Sequence, residues 1–217
     1  LQKVLDKWHL LWYNHGCNEG SDEMKVFVDF DDTLARSSET VVKYLNQKYG
    51  LNKTADDVHD WCFRSIWKYM NPLLVEIIFA SDFFWSDIRL FDKAVDVLRG
   101  HEVTLCTCGS KKNLECKRKF IADNNLGYAE AFVDISDGTK SGKDKRDFDM
   151  AGAIQIDDRV DSLLYTNAAV KILFKNGHNH TWQIVPAGSG IYAVDTWDEI
   201  EEIVRWFNDN QSLPAYR

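Results

Sequence analysis

The sequence has 217 residues, 45% of them apolar and 13% aromatic, enough to pack one compact domain and too much for a disordered chain. A net charge of -8 and a pI near 5.2 give the surface no electrostatic footprint for binding a nucleic-acid backbone. Cysteines stand at 17, 62, 106, 108 and 116; their odd number and the lack of a C-x-x-C pair argue against a disulfide framework or a zinc site, and reduced thiols suit a cytoplasmic protein.

The first 23 residues, LQKVLDKWHLLWYNHGCNEGSDE, are amphipathic and mixed in charge, without the basic start and long apolar stretch of a secretory signal. They read as a short helix and a Gly/Asn/Ser/Asp linker, with the domain proper beginning near Met24. No apolar stretch approaches the roughly 20 residues of a membrane span. Short continuous apolar runs then recur: 26-VFVDF-30, 103-VTLCT-107, 131-AFVDI-135, 153-AIQID-157 and 170-VKILF-174, with 182-WQIV-185 as a weaker sixth. Runs of this kind are strands buried on both faces of a parallel sheet. Helical patterns alternate with them, among them 111-KKNLECKRKFIADNNLG-127 and 197-WDEIEEIVRWFNDN-210, the latter with Thr196 as N-cap. The expectation is a Rossmann-like, doubly wound α/β fold.

One interval breaks the alternation. Between the first two runs stand the helical patterns 38-SETVVKYLNQKYG-50, 56-DDVHDWCFRSIWKYM-70 and 73-LLVEIIFASDFFW-85, before 92-DKAVDVLRG-100 leads back to the sheet. This reads as an inserted helical subdomain over 37–99, with the core formed by 24–36 and 100–217. Its aromatics, from Trp61 and Phe63 to Phe84 and Trp85, are expected to form mostly the subdomain's own core, with a minority lining a pocket over the sheet.

Ligands of such sheets bind beyond the carboxyl ends of the strands. There the sequence places Asp29, Asp31, Asp32 and Thr33 after the first run, and Thr107 with Cys108-Gly109-Ser110 at the end of the second. Asp157-Asp158 closes the fourth, and the Lys-rich loop 138-GTKSGKDKR-146 precedes it. Carboxylates from two strand ends suit Mg2+, a hard cation that takes oxygen ligands. The cation, a lysine and a threonine would together hold a phosphate, leaving one carboxylate to attack phosphorus and another to move protons. Residues i and i+2 of an extended segment share a side, so Asp29 and Asp31 face the site together and Asp32 turns away to cap the following turn. His178 and His180 read as surface or packing residues, Arg159 as a partner of phosphate or of a neighbouring carboxylate, and 111-KKNLECKRK-119 as an exposed helix face.

These elements in this order (D-x-D-x-T after a strand, a strand ending in Thr, an intervening Lys, a later D-D) resemble the haloacid-dehalogenase-like phosphatases over nearly all of 24–210. The stretches 83-FFWSDIRLFDKAVDVLRG-100, 105-LCTCGSKKNLECKRKFIADNNLG-127, 153-AIQIDDR-159, 172-ILFKNGHNHTW-182 and 195-DTWDEIEEIV-204 look like the 5′(3′)-deoxyribonucleotidase branch. The resemblance implies a Mg2+-dependent hydrolase of (deoxy)nucleoside 5′-monophosphates, with cap aromatics stacking on the base. It implies Asp29 as nucleophile and metal ligand, and Asp31 as general acid/base with its backbone carbonyl on the metal. Thr107 and Cys108 are then placed at the phosphate, although the branch usually has Ser-Pro where this chain has Cys108-Gly109. Asp157 becomes the third ligand, and Asp158 stands behind the metal or supplies a metal-bound water.

The phosphate lysine is one of Lys140, Lys143 and Lys145; Lys143 is preferred because it precedes a short helix beginning near Asp144 and would point toward the strand ends. The partners expected are a small nucleotide, no membrane and no stable nucleic-acid complex, with a homodimer left open. The rival readings are a phosphatase of this fold for a polynucleotide 3′-phosphate end or a small phosphorylated metabolite, and a non-catalytic nucleotide-binding module.

Overall fold

Among the described residues a six-stranded sheet organises the fold. The computed structural model describes residues 24–136, 144–176 and 184–210. The strands are β1 (Lys25–Val28), β2 (Glu102–Gly109), β3 (Ala129–Asp134), β4 (Ile154–Asp157), β5 (Val170–Phe174) and β6 (Ile191–Val194), all parallel in the order β3-β2-β1-β4-β5-β6. Val26, Val28, Ile154, Ile156 and Ile172 are fully buried, as their continuous apolar runs require of central strands. The strand order reverses beside β1, between β2 on one side and β4 on the other, and the carboxyl ends of α/β strands at such a point form the crevice of the fold.

Register decides what reaches that crevice. Val28 pairs with Leu105 on one side and Ile156 on the other. The following residues, Asp29 and Asp157, therefore stand at the same level, and Asp29 donates its N–H to the Ile156 carbonyl at 3.0 Å. Thr107 stands two residues beyond Leu105 on β2.

The segment from β1 to β2 holds α1 (Ser37–Tyr49), a 3-10 helix at Ala55–Asp57, α2 (Pro72–Phe79), α3 (Asp82–Asp87) and α4 (Ala94–Leu98). After β2 come α5 (Lys111–Asp123), α6 (Val160–Leu164) and α7 (Trp197–Asn210). The intervening segment leaves and returns through one narrow neck: Arg36 N–H donates to the Arg89 carbonyl and Phe91 N–H to that of Leu34. It is seated by aromatic packing, with Phe30 5.6 Å from both Trp85 and Phe120. A polar joint adds to this, Asn113 Nδ2 donating to the Phe79 carbonyl at 3.1 Å.

Several boundaries differ from the sequence expectation. The sixth strand is 191-IYAV-194; Ile184 and Val185 are in no strand, and residues 182–183 lie outside the described residues. The expected helix over 56–70 is mostly turns. Asp60 accepts the N–H groups of Cys62, Arg64 and Ser65, and Phe63 adopts φ 57, so side-chain bonds and a left-handed residue displace the helical ladder. The pattern over 73–85 is two helices, because Ser81 caps the second by accepting Phe84 N–H. Helix α7 starts as expected: Thr196 Oγ1 accepts Glu199 N–H, and Glu199 Oε2 accepts Thr196 N–H in return. The expected N-terminal helix of residues 1–23 lies outside the described residues.

Candidate active site

The first group of side chains gathers where β1 and β4 end. Asp29 is 6% exposed, Asp157 1% and Asp158 2%, and one carboxylate oxygen from each lies within 4.8 Å of the others. Into this group reaches Lys145, whose Nζ donates to Asp29 Oδ1 at 2.7 Å and Asp157 Oδ2 at 2.6 Å. Its backbone is set by the 3-10 helix Lys145–Asp147, in which Asp144 accepts Arg146 N–H and Asp147 accepts Asp144 N–H. The other Asp157 oxygen accepts Arg159 N–H at 3.0 Å.

Burial of so many like charges has the expected electrostatic signature. Burial pushes Asp157 up to about 6 against the opposing pull of Lys145. Asp158 is held well above the usual carboxylate range by burial and by the charges of Asp157, Asp29 and Asp32. Burial works against the Lys145 charge, but Asp157 and Asp29 outweigh it and hold the ammonium well above its ordinary range. Arg159, which also acts on Asp157 and Asp158, is engaged through its guanidinium by Asp161.

A second group lies where β1 faces β2. Asp31 Oδ2 accepts from Lys117 Nζ at 2.6 Å and Oδ1 accepts from Ser37 Oγ at 2.7 Å. Lys117 also donates to Thr107 Oγ1 at 2.7 Å and the Cys108 carbonyl at 3.1 Å. Burial raises Asp31, opposed by Lys117 and reinforced by Asp29. Asp32 turns into the first turn of α1, accepting Ser38 N–H at 2.8 Å and the Ser38 hydroxyl, with its own backbone at φ 55. Cys106 is buried and its thiol is pushed up to about 12; burial raises Cys108 as well, so neither has the setting of a reactive thiolate.

The fold thus brings together Asp29, Asp31, Thr107, Cys108, Asp157 and Asp158. Lys143 and Lys140 lie outside the described residues, as do His178 and His180. Lys145 is the loop lysine that stands between the carboxylates. The basic run 111–119 is not wholly an exposed face: Lys111, Lys112, Arg118 and Lys119 are exposed, but Lys117 is fully buried. The signal lay in the helical spacing, since Leu114, Lys117 and Ile121 share one stripe and its other two members are apolar.

Asp29, Asp157 and Asp158 offer oxygen donors alone, buried and mutually destabilising as anions, so these residues fit a hard divalent cation such as Mg2+.

No protein-family profile and no curated protein sequence matches the chain. Solved structures do. A HAD family hydrolase from Deinococcus radiodurans, with bound phosphate and sodium, superposes with a TM-score of 0.56 at 15% identity, covering 87% of this chain and 97% of that one. A predicted phosphatase from Clostridium acetobutylicum gives 0.51 at 17% identity over 85% and 99% of the two chains. YfnB from Bacillus subtilis, described as a HAD-hydrolase and bound to magnesium, gives 0.51 at 14% identity over 84% and 99%. This chain therefore has the fold of the haloacid-dehalogenase-like hydrolases.

Proposed function

We propose that the chain is a Mg2+-dependent phosphomonoesterase of the haloacid-dehalogenase superfamily that hydrolyses (deoxy)nucleoside 5′-monophosphates through an aspartyl-phosphate on Asp29. The observation that carries this reading is the Lys145 ammonium set between carboxylates from two different strand ends, 2.7 Å from Asp29 and 2.6 Å from Asp157. It holds one Asp29 oxygen, and the attack on phosphorus would come from the other oxygen of that carboxylate. Asp29, Asp157 and the backbone carbonyl of Asp31 would hold Mg2+, with Asp158 beside them. Bound there, the metal would supply positive charge beside Asp29 and offset the charge of the phosphoryl oxygens.

In the first step an Asp29 oxygen bonds to phosphorus as the ester P–O bond breaks, and the Asp31 carboxyl gives its proton to the leaving oxygen. In the second, the Asp31 carboxylate takes a proton from water as the water oxygen bonds to phosphorus. The Asp29–phosphorus bond breaks and inorganic phosphate leaves. Lys145 and the Thr107 hydroxyl offer donors to the phosphoryl oxygens, and the half-buried Cys108 stands next to Thr107.

For the substrate, the supporting feature is Trp61 of the segment over 37–99, which we propose as a cap on the core of 24–36 and 100–217. Arg159, the residue after Asp157-Asp158, sets its guanidinium carbon over the Trp61 ring, 4.6 Å from the centroid, and Trp61 as a residue is 36% exposed. An aromatic side chain tied to the residue that follows the Asp157-Asp158 pair suits contact with a nucleobase. Free thiols at Cys62, Cys106, Cys108 and Cys116 support a reducing, cytoplasmic setting. Among the described residues no helix is long and apolar enough to cross a membrane.

The test is a Mg2+ assay over nucleoside monophosphates, sugar phosphates and 3′-phosphorylated oligonucleotides. Nucleoside 5′-monophosphates are expected to rank first. Asp29→Asn should lose at least about a thousandfold in turnover, and Trp61→Ala should raise KM for nucleotides by about tenfold, the worth of one stacked base. Sugar phosphates or oligonucleotide ends ranking first would replace the substrate class, and ligand binding without any turnover would leave a binding module.

A further inference from the structure

Lys117 takes no part in either chemical step of the proposed reaction, yet it is fully buried on the inner stripe of α5. An ammonium has three protons and accepts nothing, and this one has three acceptors: Asp31 Oδ2, Thr107 Oγ1 and the Cys108 carbonyl. The Phe30 ring covers it, its centroid 5.4 Å from Nζ. Because Lys117 can only donate, Thr107 Oγ1 must accept, which leaves the threonine hydroxyl proton for another acceptor. On Asp31, Lys117 holds one oxygen and Ser37 the other. The carboxyl is thereby clamped from two helices, α5 and α1. A buried charge of this kind is costly to keep unless its geometry is used.

We infer that Lys117 is a positioning residue of the reaction: it holds the Asp31 carboxyl in place as proton donor to the leaving oxygen and ties it, through one ammonium, to the phosphate-binding hydroxyl of Thr107. This inference rests on the phosphomonoesterase reading. It has a consequence that a merely structural lysine lacks. A sugar 5′-oxygen leaves phosphorus only with a proton supplied, whereas p-nitrophenolate leaves as the anion and needs little help. Loss of the clamp should therefore penalise the two esters unequally.

The experiment compares kcat/KM, which reports formation of the aspartyl-phosphate, for a deoxynucleoside 5′-monophosphate and for p-nitrophenyl phosphate with Mg2+. Lys117→Met is expected to lose about a hundredfold or more on the nucleotide and about tenfold or less on the p-nitrophenyl ester. Ser37→Ala removes the other donor to Asp31 while keeping Lys117, and should shift the ratio in the same direction by less. It carries the test alone if circular dichroism shows that Lys117→Met does not fold. Equal losses on both esters, in whichever variant folds, overturn the inference and leave the phosphomonoesterase reading standing. A wild-type protein that hydrolyses neither ester overturns that reading and the inference with it.

Discussion

The two sides of β1 each contain a buried lysine, and they differ in what surrounds it. On the β4 side one ammonium, Lys145, stands among three buried carboxylates, those of Asp29, Asp157 and Asp158. On the β2 side one ammonium, Lys117, meets one carboxylate, a hydroxyl and a carbonyl, and its three protons are all used. Among the described residues the first side sets three buried carboxylates around one hydrogen-bonded ammonium, which is where a further cation lowers the energy. The second is balanced, and its geometry is already set. In the proposed function, the place that would receive a metal is thus separate from the place that would hold the acid, and the same residue type stands at both.

The largest expected effect tests that asymmetry through stability. Without Mg2+, Lys145→Met removes the ammonium from three carboxylates and should cost about 3–5 kcal/mol. Lys117→Met, which strands one carboxylate, should cost less. Adding Mg2+ should narrow the gap between them. Chemical denaturation of both variants with and without Mg2+ checks this, and equal costs, or a gap indifferent to Mg2+, would break the comparison.

An intermediate effect concerns the metal itself. At a hundredfold excess over Kd, Mg2+ should stabilise the wild-type protein by about 2.7 kcal/mol, roughly 5–10 °C in Tm for a chain of this size. Asp157→Asn should abolish most of that rise, while Ser37→Ala should retain it. Thermal melts across a Mg2+ titration, with a chelator as the zero point, provide the measurement.

The smallest effect sharpens how α5, which carries Lys117, is joined to the segment above it. A Cβ at Gly109 would collide with Asn113 Oδ1, and the Asn113 amide is the group that bonds the Phe79 carbonyl. Gly109→Ala should push that side chain off Phe79 and cost about 1 kcal/mol, the net worth of one hydrogen bond. A Tm unchanged within error would show that Asn113 moves aside without loss.

Much of this was legible beforehand where the signal is local. The five apolar runs that became β1 to β5 and the Thr196 cap follow from side-chain periodicity and hydrogen-bonding capacity over a few residues. The helix expected over 56–70 failed because Asp60 offered the backbone a competing set of bonds, which a hydrophobic pattern does not report. The strand at Ile191–Val194 is itself a run of four apolar residues, no less apolar than the expected 182-WQIV-185, and composition over so short a stretch does not choose between the two.

The sequence by itself determined the parallel α/β architecture and the acids at the strand ends, because strand burial and the two-residue repeat of an extended chain are local properties. Tertiary structure alone decided which lysines serve those acids. Lys145 meets Asp29 across 116 residues and Lys117 meets Asp31 across 86, and no local pattern specifies which charge will be buried opposite which. Lys117 reads as a solvated residue of a basic run until α5 packs its inner stripe against the strand ends, where an ammonium can stay buried only because three acceptors meet it.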